Sequence, residues 1–349
     1  ITESTVMNIY GLLKLYRRID SPRLKLLGLA VLHLLHRRYS CLFFDPVLAC
    51  NLRCRMCYFS DPVARRDIHG RFSREDLESI ARALFPYMLK LQIGCGAEPT
   101  VCADLTHIVA LGRKYGVPYI SITTNGMLLT RQLVDDMVAG GLNEITLSAH
   151  GFSRDTYETL MQGASFARFL QLIDILREVR ATEGGKGLKI RVNYTVNEDN
   201  IGDLPLFMDV FRGLHIDVLQ IRPIQKIGDS DYNNFSREAI VSRYDECIQP
   251  VINACGELGT KCLYPLKEQL ATTATEGEAP DTLNSVVDML PYFQLSPYDG
   301  WKDKINPYKE DFYGYCSRTH RLRYMLKNLV WYRGETRDDR TRAMDYSVK

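Results

Sequence analysis

The chain has 349 residues, of which 46% are hydrophobic and 25% are charged, as is ordinary for a globular protein. Its net charge of +2 gives no reason to expect a nucleic-acid partner, and its length favours one large domain or one domain with an extension. Ten cysteines are too few for a disulfide scaffold of this size, and without a recognisable signal peptide they predict a reducing, cytoplasmic setting.

Residues 1–40 are predicted to form an amino-terminal helical arm. A helical pattern covers 8–18, and a second helix should begin at Pro22, because Ser21 is a good N-cap residue and proline suits the first helical position. The apolar run of this second helix is too short to span a bilayer. The arm is also basic, so residues 8–38 could contact an anionic membrane surface. Packing against the barrel or at a dimer contact is the alternative.

Residues 41–230 alternate between strand and helix patterns. Strands are predicted at 41–49, 89–93, 118–123, 144–149, 188–196 and 217–221. Helices are predicted at 73–89, 105–115, 130–138, 153–160, 165–181 and 204–214. This alternation implies a parallel sheet with right-handed crossovers, which can curl into a partial barrel. The predicted fold class is therefore α/β, a partial (β/α)6 TIM-like barrel, with functional groups at the carboxyl ends of its strands.

Residues 231–349 are predicted to form an α+β extension that caps the barrel. A helix is expected at 236–258 and a short strand at 261–264, followed by a polar segment. The stretch 291–332 is dense in aromatic residues. These could form a small core over the barrel mouth or a platform for a sugar or peptide.

Three cysteines, Cys50, Cys54 and Cys57, follow the first predicted strand with spacings of four and three residues. Three thiolates on one loop can hold three irons of a cubane cluster and leave the fourth iron open to a chelating small molecule. Structural zinc usually takes four protein ligands, commonly in paired C-x₂-C units, and no second close pair is present. A chance group of buried thiols is the other alternative.

This C-x₃-C-x₂-C motif resembles the cluster-binding motif of the radical SAM superfamily. The resemblance covers roughly residues 41–225 and is greatest to the subgroup with SPASM or Twitch extensions. It implies a [4Fe-4S] cluster at the three cysteines and S-adenosylmethionine (SAM) as the second cofactor. The reduced cluster would cleave SAM to a 5′-deoxyadenosyl radical that abstracts hydrogen from a substrate. A flavodoxin or ferredoxin type of protein would supply the electron.

Several residues near strand ends match positions that bind the cofactor in relatives. The stretch Gly96-Ala97-Glu98-Pro99 resembles the Gly-Gly-Glu-Pro motif that holds the amino group of SAM, with Ala97 in place of the second glycine. The other candidates are Met56, Tyr58, Thr124, Asn125, Ser148, Arg168, Asn193 and Gln220. Met56 replaces an aromatic residue that many relatives carry. A plain turn at 124–126 and a surface role for Arg168 are the alternatives.

His150 is the candidate catalytic residue, because it stands where many relatives have an acid. It could act as an acid, a base or a hydrogen-bond donor toward substrate. A structural histidine with satisfied hydrogen bonds is the alternative.

The carboxyl-terminal third contains Cys247, Cys255, Cys262 and Cys316. Relatives with this barrel often hold auxiliary clusters in a cysteine-rich extension. Here Cys247 and Cys255 would lie about 12 Å apart on one predicted helix, which is too far for one cluster. We therefore predict no auxiliary cluster.

The predicted function is that of a radical SAM enzyme acting on a peptide or protein side chain. The residues leave open whether it is an oxidoreductase, a transferase or an isomerase. The segments 155–158 and 163–166 resemble those of peptide-modifying and sugar-modifying relatives. The same chemistry on a carbohydrate or lipid-linked substrate at a membrane surface is the first alternative. A non-catalytic iron–sulfur carrier or sensor is the second, although a carrier needs no SAM pocket around Glu98.

Overall fold

The structure is a computed structural model that describes residues 18–225, 235–272, 287, 288 and 290–331. Most of the predicted helix at 8–18, and most of the polar segment after the predicted strand 261–264, lie outside these residues. No helix in the described ranges is long and apolar enough to cross a bilayer.

Eight parallel strands form one sheet in the order β7-β6-β5-β4-β3-β2-β1-β8, with β7 and β8 at its two edges. The strands are β1 (Ser40–Phe44), β2 (Met88–Ile93), β3 (Tyr119–Thr124), β4 (Glu144–Ala149), β5 (Lys189–Val196), β6 (Val218–Pro223), β7 (Lys261–Leu263) and β8 (Tyr292–Leu295). This open parallel sheet confirms the predicted partial barrel. It has two strands more than the six that were predicted for the barrel.

The α-helices mostly connect the strands or flank the sheet. They are α1 (Pro22–Leu34), α2 (Pro62–Asp67), α3 (Arg74–Leu84), α4 (Leu105–Lys114), α5 (Arg131–Gly140), α6 (Arg154–Leu160), α7 (Phe166–Ala181), α8 (Phe207–Val210), α9 (Glu238–Ser242), α10 (Gln249–Glu257), α11 (Lys267–Thr272), α12 (Trp301–Lys304), α13 (Phe312–Arg318) and α14 (Arg321–Val330). The predicted start of α1 is confirmed, because the Ser21 side chain accepts a hydrogen bond from the Leu24 amide.

Both added strands come from the carboxyl-terminal third and join opposite edges of the sheet. β7 pairs with β6 and was predicted as an isolated short strand. β8 pairs with β1, with Tyr292 opposite Cys41, and was not predicted. The extension therefore contributes to the barrel sheet as well as to its surroundings.

Four predicted elements are shorter than expected. The predicted helix 73–89 ends at Leu84 and is followed by a 3₁₀ turn at Phe85–Tyr87. β1 ends at Phe44 rather than continuing to residue 49, because Pro46 lacks the amide that a continuing strand would need. The predicted helix 236–258 is divided by a π-helical turn at Tyr244–Ile248. The predicted helix 204–214 is a 3₁₀ segment followed by the single turn α8.

Alternate residues of the central strands have different surroundings. One set is apolar and buried in the main core: Leu91, Ile122, Ile145, Leu147, Val192 and Leu219. The other set is buried but polar: Gln92, Ser121, Thr146, Asn193 and Gln220. These polar residues follow the period-two alternation of a strand and therefore share one face of the sheet. Within this face, Ser121 donates to Gln92 at 2.7 Å and Gln92 donates to Thr123 at 2.9 Å.

Candidate radical SAM site

The cysteine loop leaves the carboxyl end of β1. Cys50, Cys54 and Cys57 are all partly buried. The Arg53 guanidinium donates to the Cys50 carbonyl at 2.7 Å and to the Leu52 carbonyl at 2.6 Å. The Arg53 amide also donates to the Gln162 carbonyl at 2.9 Å. One arginine thus fixes the turn between the first two thiols and ties the loop to the segment between α6 and α7.

The three thiols influence one another electrostatically. Burial raises the pKa of Cys50 to about 11 and also raises those of Cys54 and Cys57. The neighbouring thiols Cys57 and Cys50 raise the pKa of Cys54 further. These thiols are therefore protonated at neutral pH, and metal binding must release their protons.

A single metal ion and a cluster place different demands on the three thiols. The described residues contain no group of three His, Cys, Asp or Glu side chains that could hold one metal ion. A cubane takes one thiolate per iron, so its ligands need not converge on one point. Cys50, Cys54 and Cys57 would hold three irons.

The Gly94–Ala97 turn follows β2 and is held by a carboxylate that was not predicted to have a role. Asp45 is only 1% exposed. Its Oδ1 accepts hydrogen bonds from the amides of Cys95 at 2.7 Å and Gly96 at 3.0 Å. Its Oδ2 accepts from the Ser296 hydroxyl at 3.0 Å, which links the turn to the segment after β8. In the sequence, the only indication of this role is that an acidic residue follows directly after the apolar residues of β1.

Both backbone polar groups of Gly96 are hydrogen-bonded to side chains. Asp45 accepts from its amide, while the Tyr58 hydroxyl donates to its carbonyl. A Cβ at position 96 would lie 2.8 Å from the Tyr58 hydroxyl oxygen. The predicted residues Tyr58 and Gly96 are therefore neighbours, and a larger residue at position 96 would have to displace the Tyr58 hydroxyl.

Glu98 joins the ends of β2 and β3. The side chain is 3% exposed, and its Oε1 accepts from the Thr100 amide at 3.0 Å and the Thr124 hydroxyl at 2.7 Å. Its Oε2 accepts from the Asn125 amide at 2.8 Å. Most of the hydrogen-bonding capacity of Glu98 thus goes to the protein. Oε2 accepts one described bond and has capacity for a second, so contact with the SAM amino group stays a prediction.

Asn125 connects the end of β3 to the cysteine loop. Its Nδ2 donates to the Asn51 Oδ1 at 2.9 Å and lies 4.0 Å from the Cys50 sulfur. Its Oδ1 accepts from the Met127 amide at 2.9 Å, so the residue also stabilises the turn through Gly126. Asn125 therefore stabilises the predicted turn, and its contact with SAM stays a prediction.

Ser148, Asn193 and Gln220 lie side by side on β4, β5 and β6. Gln220 Oε1 accepts from Arg222 at 2.8 Å and Arg191 at 3.3 Å. Asn193 Oδ1 is buried and has no hydrogen-bond partner among the described residues. Buried polar atoms are rarely left unpaired, so this oxygen is suited to a bound polar ligand.

His150 follows β4 and takes part in local structure. Its Nδ1 accepts from the Thr195 amide at 3.3 Å, and its backbone carbonyl accepts from Asn200 at 2.9 Å. Burial, followed by the positive charge of Arg222, lowers the pKa of His150 to about 4. The imidazole is therefore neutral at pH 7, a weak base that presents a donor at Nε2.

Two predicted residues have contacts of another kind. Met56 is buried in a small cluster with Leu160 and Ile224. The Arg168 guanidinium donates to the Leu129 carbonyl, and none of its described hydrogen bonds joins it to the other predicted residues. Contact of either residue with SAM stays a prediction.

Two of the carboxyl-terminal cysteines are neighbours. Cys255 on α10 and Cys262 on β7 share a side-chain hydrogen bond, which lowers the pKa of Cys255 and raises that of Cys262. Cys247 and Cys316 are buried in the main core. The expectation that this region carries no auxiliary cluster stays a prediction.

Residues 46–198 match the family model described as the radical SAM superfamily. Among curated proteins, the chain is 26% identical over 180 residues to a probable GTP 3′,8-cyclase of Saccharolobus solfataricus and 28% identical over 174 residues to one of Thermoplasma volcanium. These matches cover 52% and 49% of this chain, and 55% and 50% of the relatives. The chain thus spans about half the length of the curated relatives that it matches.

Solved structures share the fold over a larger part of the chain. SuiB from Streptococcus suis has a TM-score of 0.56 at 14% identity, covering 82% of this chain and 68% of SuiB. SuiB bound to its precursor peptide SuiA has a TM-score of 0.53 at 17% identity, covering 84% and 64%. Native anSMEcpe with bound SAM has a TM-score of 0.56 at 15% identity, covering 81% and 82%. At these identities the likeness shows the fold.

Residues 46–198 therefore form a radical SAM domain, the domain of a superfamily whose members use a [4Fe-4S] cluster and SAM.

Proposed function

We propose that this chain is a radical SAM enzyme whose cluster is held by Cys50, Cys54 and Cys57. Bound together, a reduced [4Fe-4S] cluster and SAM supply a 5′-deoxyadenosyl radical that abstracts hydrogen from a substrate. One observation carries the proposal: Glu98 and Asn125 connect the cysteine loop, the turn after β2 and the end of β3. A non-catalytic carrier would need no SAM pocket beside its cysteine loop.

The chain's own residues would bind and orient the reactants. Asp45 and Tyr58 hold Gly96 where the amino group of SAM is expected. The buried Oδ1 of Asn193 would accept a hydrogen bond from a polar atom of SAM or substrate, and Nε2 of the neutral His150 would donate one. The polar face of the sheet would receive a polar substrate and limit its access to water.

The test of this proposal is anaerobic production of 5′-deoxyadenosine from SAM under a chemical reductant. We expect Cys54→Ala to abolish the nucleoside. Cys316→Ala is the matched control, because that thiol is buried in the core and lies outside the cysteine loop. Equal nucleoside formation by the two variants would contradict the cluster assignment, and none from the reconstituted wild-type protein would favour the carrier or sensor.

For the substrate, we propose a peptide or protein side chain. The sequence segments at 155–158 and 163–166 support this choice, and so does the shared fold of SuiB, which has been solved with a precursor peptide. A nucleotide is the second candidate, because curated relatives are named probable GTP 3′,8-cyclase. A carbohydrate or lipid-linked substrate is the remaining alternative.

Deuterium transfer separates these substrate classes. The enzyme would be incubated with fractions of a fully deuterated cell extract, and deuterium in 5′-deoxyadenosine would report hydrogen abstraction. We expect transfer from the macromolecular and peptide fraction, lost after protease treatment. Transfer from the small-molecule fraction, together with consumption of added GTP, would support the nucleotide and contradict the peptide.

The proposed chemistry needs an electron donor, and the sequence also predicted a membrane contact. The electron would come from a flavodoxin or ferredoxin type of donor, as is general in the family. Peripheral membrane contact was predicted for residues 8–38, and residues 18–38 belong to the described part of the chain.

A further inference from the structure

Helix α1 is apolar on two sides. One side, formed by Leu26, Leu29, Ala30 and His33, is buried against the protein. On the other side, Leu24 is 59% exposed and Leu34 is 60% exposed, with Leu27 and Val31 at 44% each. A surface helix of a globular protein normally carries polar residues on its outer side. The outer side of α1 therefore calls for an apolar partner.

Helix α14 packs against α1 and also exposes apolar side chains. Leu326 is 44% exposed, Val330 is 53% exposed, and Trp331, which follows the helix, is 66% exposed. We call the exposed apolar side chains of the two helices the α1–α14 face: Leu24, Leu27, Val31, Leu34, Leu35, Leu326, Val330 and Trp331.

The charges of both helices have one sign. Neither α1 nor α14 contains an aspartate or glutamate. Exposed basic residues accompany the apolar ones: Arg23, Arg37, Arg323 and Lys327. Among the described residues, Asp20 precedes α1 and Asp288 lies 3.6 Å from Lys25. Leucines beside arginines and an exposed tryptophan are typical of helices that lie in the interface of an anionic bilayer.

We propose that the α1–α14 face docks on an anionic membrane surface. The apolar side chains would enter the boundary between headgroups and acyl chains, while the basic residues contact anionic headgroups. This binding is separate from the radical chemistry and does not depend on it.

The place where the arm joins the barrel determines which end of the strands would lie nearer the membrane. The Arg38 guanidinium donates to the carbonyls of Met88 at 3.2 Å and Tyr115 at 3.2 Å. Met88 begins β2 and Tyr115 precedes β3, so the arm is attached at the amino ends of the strands. The cysteine loop lies at the carboxyl ends. Docking would thus leave the cluster edge open to the aqueous phase.

Vesicle flotation of the full chain tests the proposal, with vesicles of phosphatidylcholine alone and vesicles that also contain phosphatidylglycerol. We expect flotation only with phosphatidylglycerol, weakened by salt. Leu27→Glu together with Val31→Glu should reduce binding at least about tenfold, and Arg23→Gln should reduce it about fivefold. Leu258→Glu is the matched control, because Leu258 is 54% exposed and lies beyond α10. It should bind like the unaltered chain.

Fluorescence adds a readout at one residue. The chain has two tryptophans, and Trp301 packs against Phe72 with ring centroids 4.8 Å apart. In a Trp301→Phe variant, emission from Trp331 should shift to shorter wavelength on adding phosphatidylglycerol vesicles. No flotation, or flotation unaffected by the charge-introducing variant, would overturn the proposal. A loss of self-association in that variant, without vesicle binding by the unaltered chain, would instead identify a second copy as the occupant.

Discussion

Replacing Asp45 by asparagine removes one buried charge while keeping the shape of the side chain. The carboxylate Oδ1 accepts from the amides of Cys95 and Gly96, and Oδ2 accepts from the Ser296 hydroxyl. An asparagine with its oxygen in the Oδ1 position keeps the hydrogen bonds from both backbone amides, but these bonds are no longer strengthened by a charge. Its Nδ2 would face the Gly96 amide, which lies 3.3 Å from Oδ2. Two donors would then oppose each other.

The cost follows from these contacts. Charge-assisted hydrogen bonds contribute about 1.5–3 kcal/mol and neutral ones about 1 kcal/mol, so two weakened bonds lower the free energy of unfolding by roughly 2 kcal/mol. Burial raises the pKa of Asp45, which shows that the charge itself is costly, and removing it offsets part of the loss. We expect a net loss of about 1–2 kcal/mol. Displacement of the Gly96 peptide should weaken SAM binding about tenfold.

Two measurements check this prediction: urea denaturation of the apoprotein, and equilibrium dialysis of SAM against the reconstituted protein without oxygen. Ser296→Ala is the matched control, because it removes one bond to Oδ2 and leaves both amide bonds intact. It should cost less than about 1 kcal/mol and leave SAM affinity nearly unchanged. If Asp45→Asn binds SAM as tightly as the unaltered protein, the assigned role of Asp45 is wrong.

Three further predictions concern the same region. Gly96→Ala should weaken SAM binding, because the new Cβ would lie 2.8 Å from the Tyr58 hydroxyl oxygen; adding Tyr58→Phe should restore part of the affinity, and no restoration would refute the clash. The pKa of His150 is lowered from 6.5 to about 4 in the folded state, so the unfolded chain binds the proton more tightly and the free energy of unfolding should fall as the pH drops from 6.5 to 4. The variant His150→Asn should lose up to about 3 kcal/mol of this pH dependence in urea titrations. A pH profile equal to that of the unaltered protein would contradict the prediction. Arg53→Gln should lower iron incorporation with little change in the melting temperature, since it frees the Cys50 and Leu52 carbonyls at the loop; normal iron content would refute this.

The sequence was informative where local patterns determine structure. The five strands β2 to β6 were predicted within a few residues, because each is an apolar segment bounded by caps and turns. Thr130, for example, caps α5, and Gly141 ends it in the left-handed region at φ 106°. The cysteine loop was singled out by its spacing, its place after the first predicted strand and its resemblance to a known motif.

Long-range pairing was beyond such patterns. β8 has four residues and pairs with β1, some 250 positions earlier in the chain, so nothing local marked it as part of the sheet. The role of Asp45 depends on Ser296 in the same way. Glu98 was predicted from a motif, but its bonds to Thr124 and Asn125 required the neighbouring strand end to be in place.

The most direct test of the central claim is electron paramagnetic resonance of the reduced, reconstituted protein with and without SAM. An iron without a protein ligand can be chelated by SAM, so we expect about four irons per chain and a spectrum that changes on SAM addition. Cys54→Ala should show neither the cluster signal nor the change. About eight irons would instead reveal a second cluster among the carboxyl-terminal cysteines. A complete cluster whose spectrum is indifferent to SAM would contradict the account.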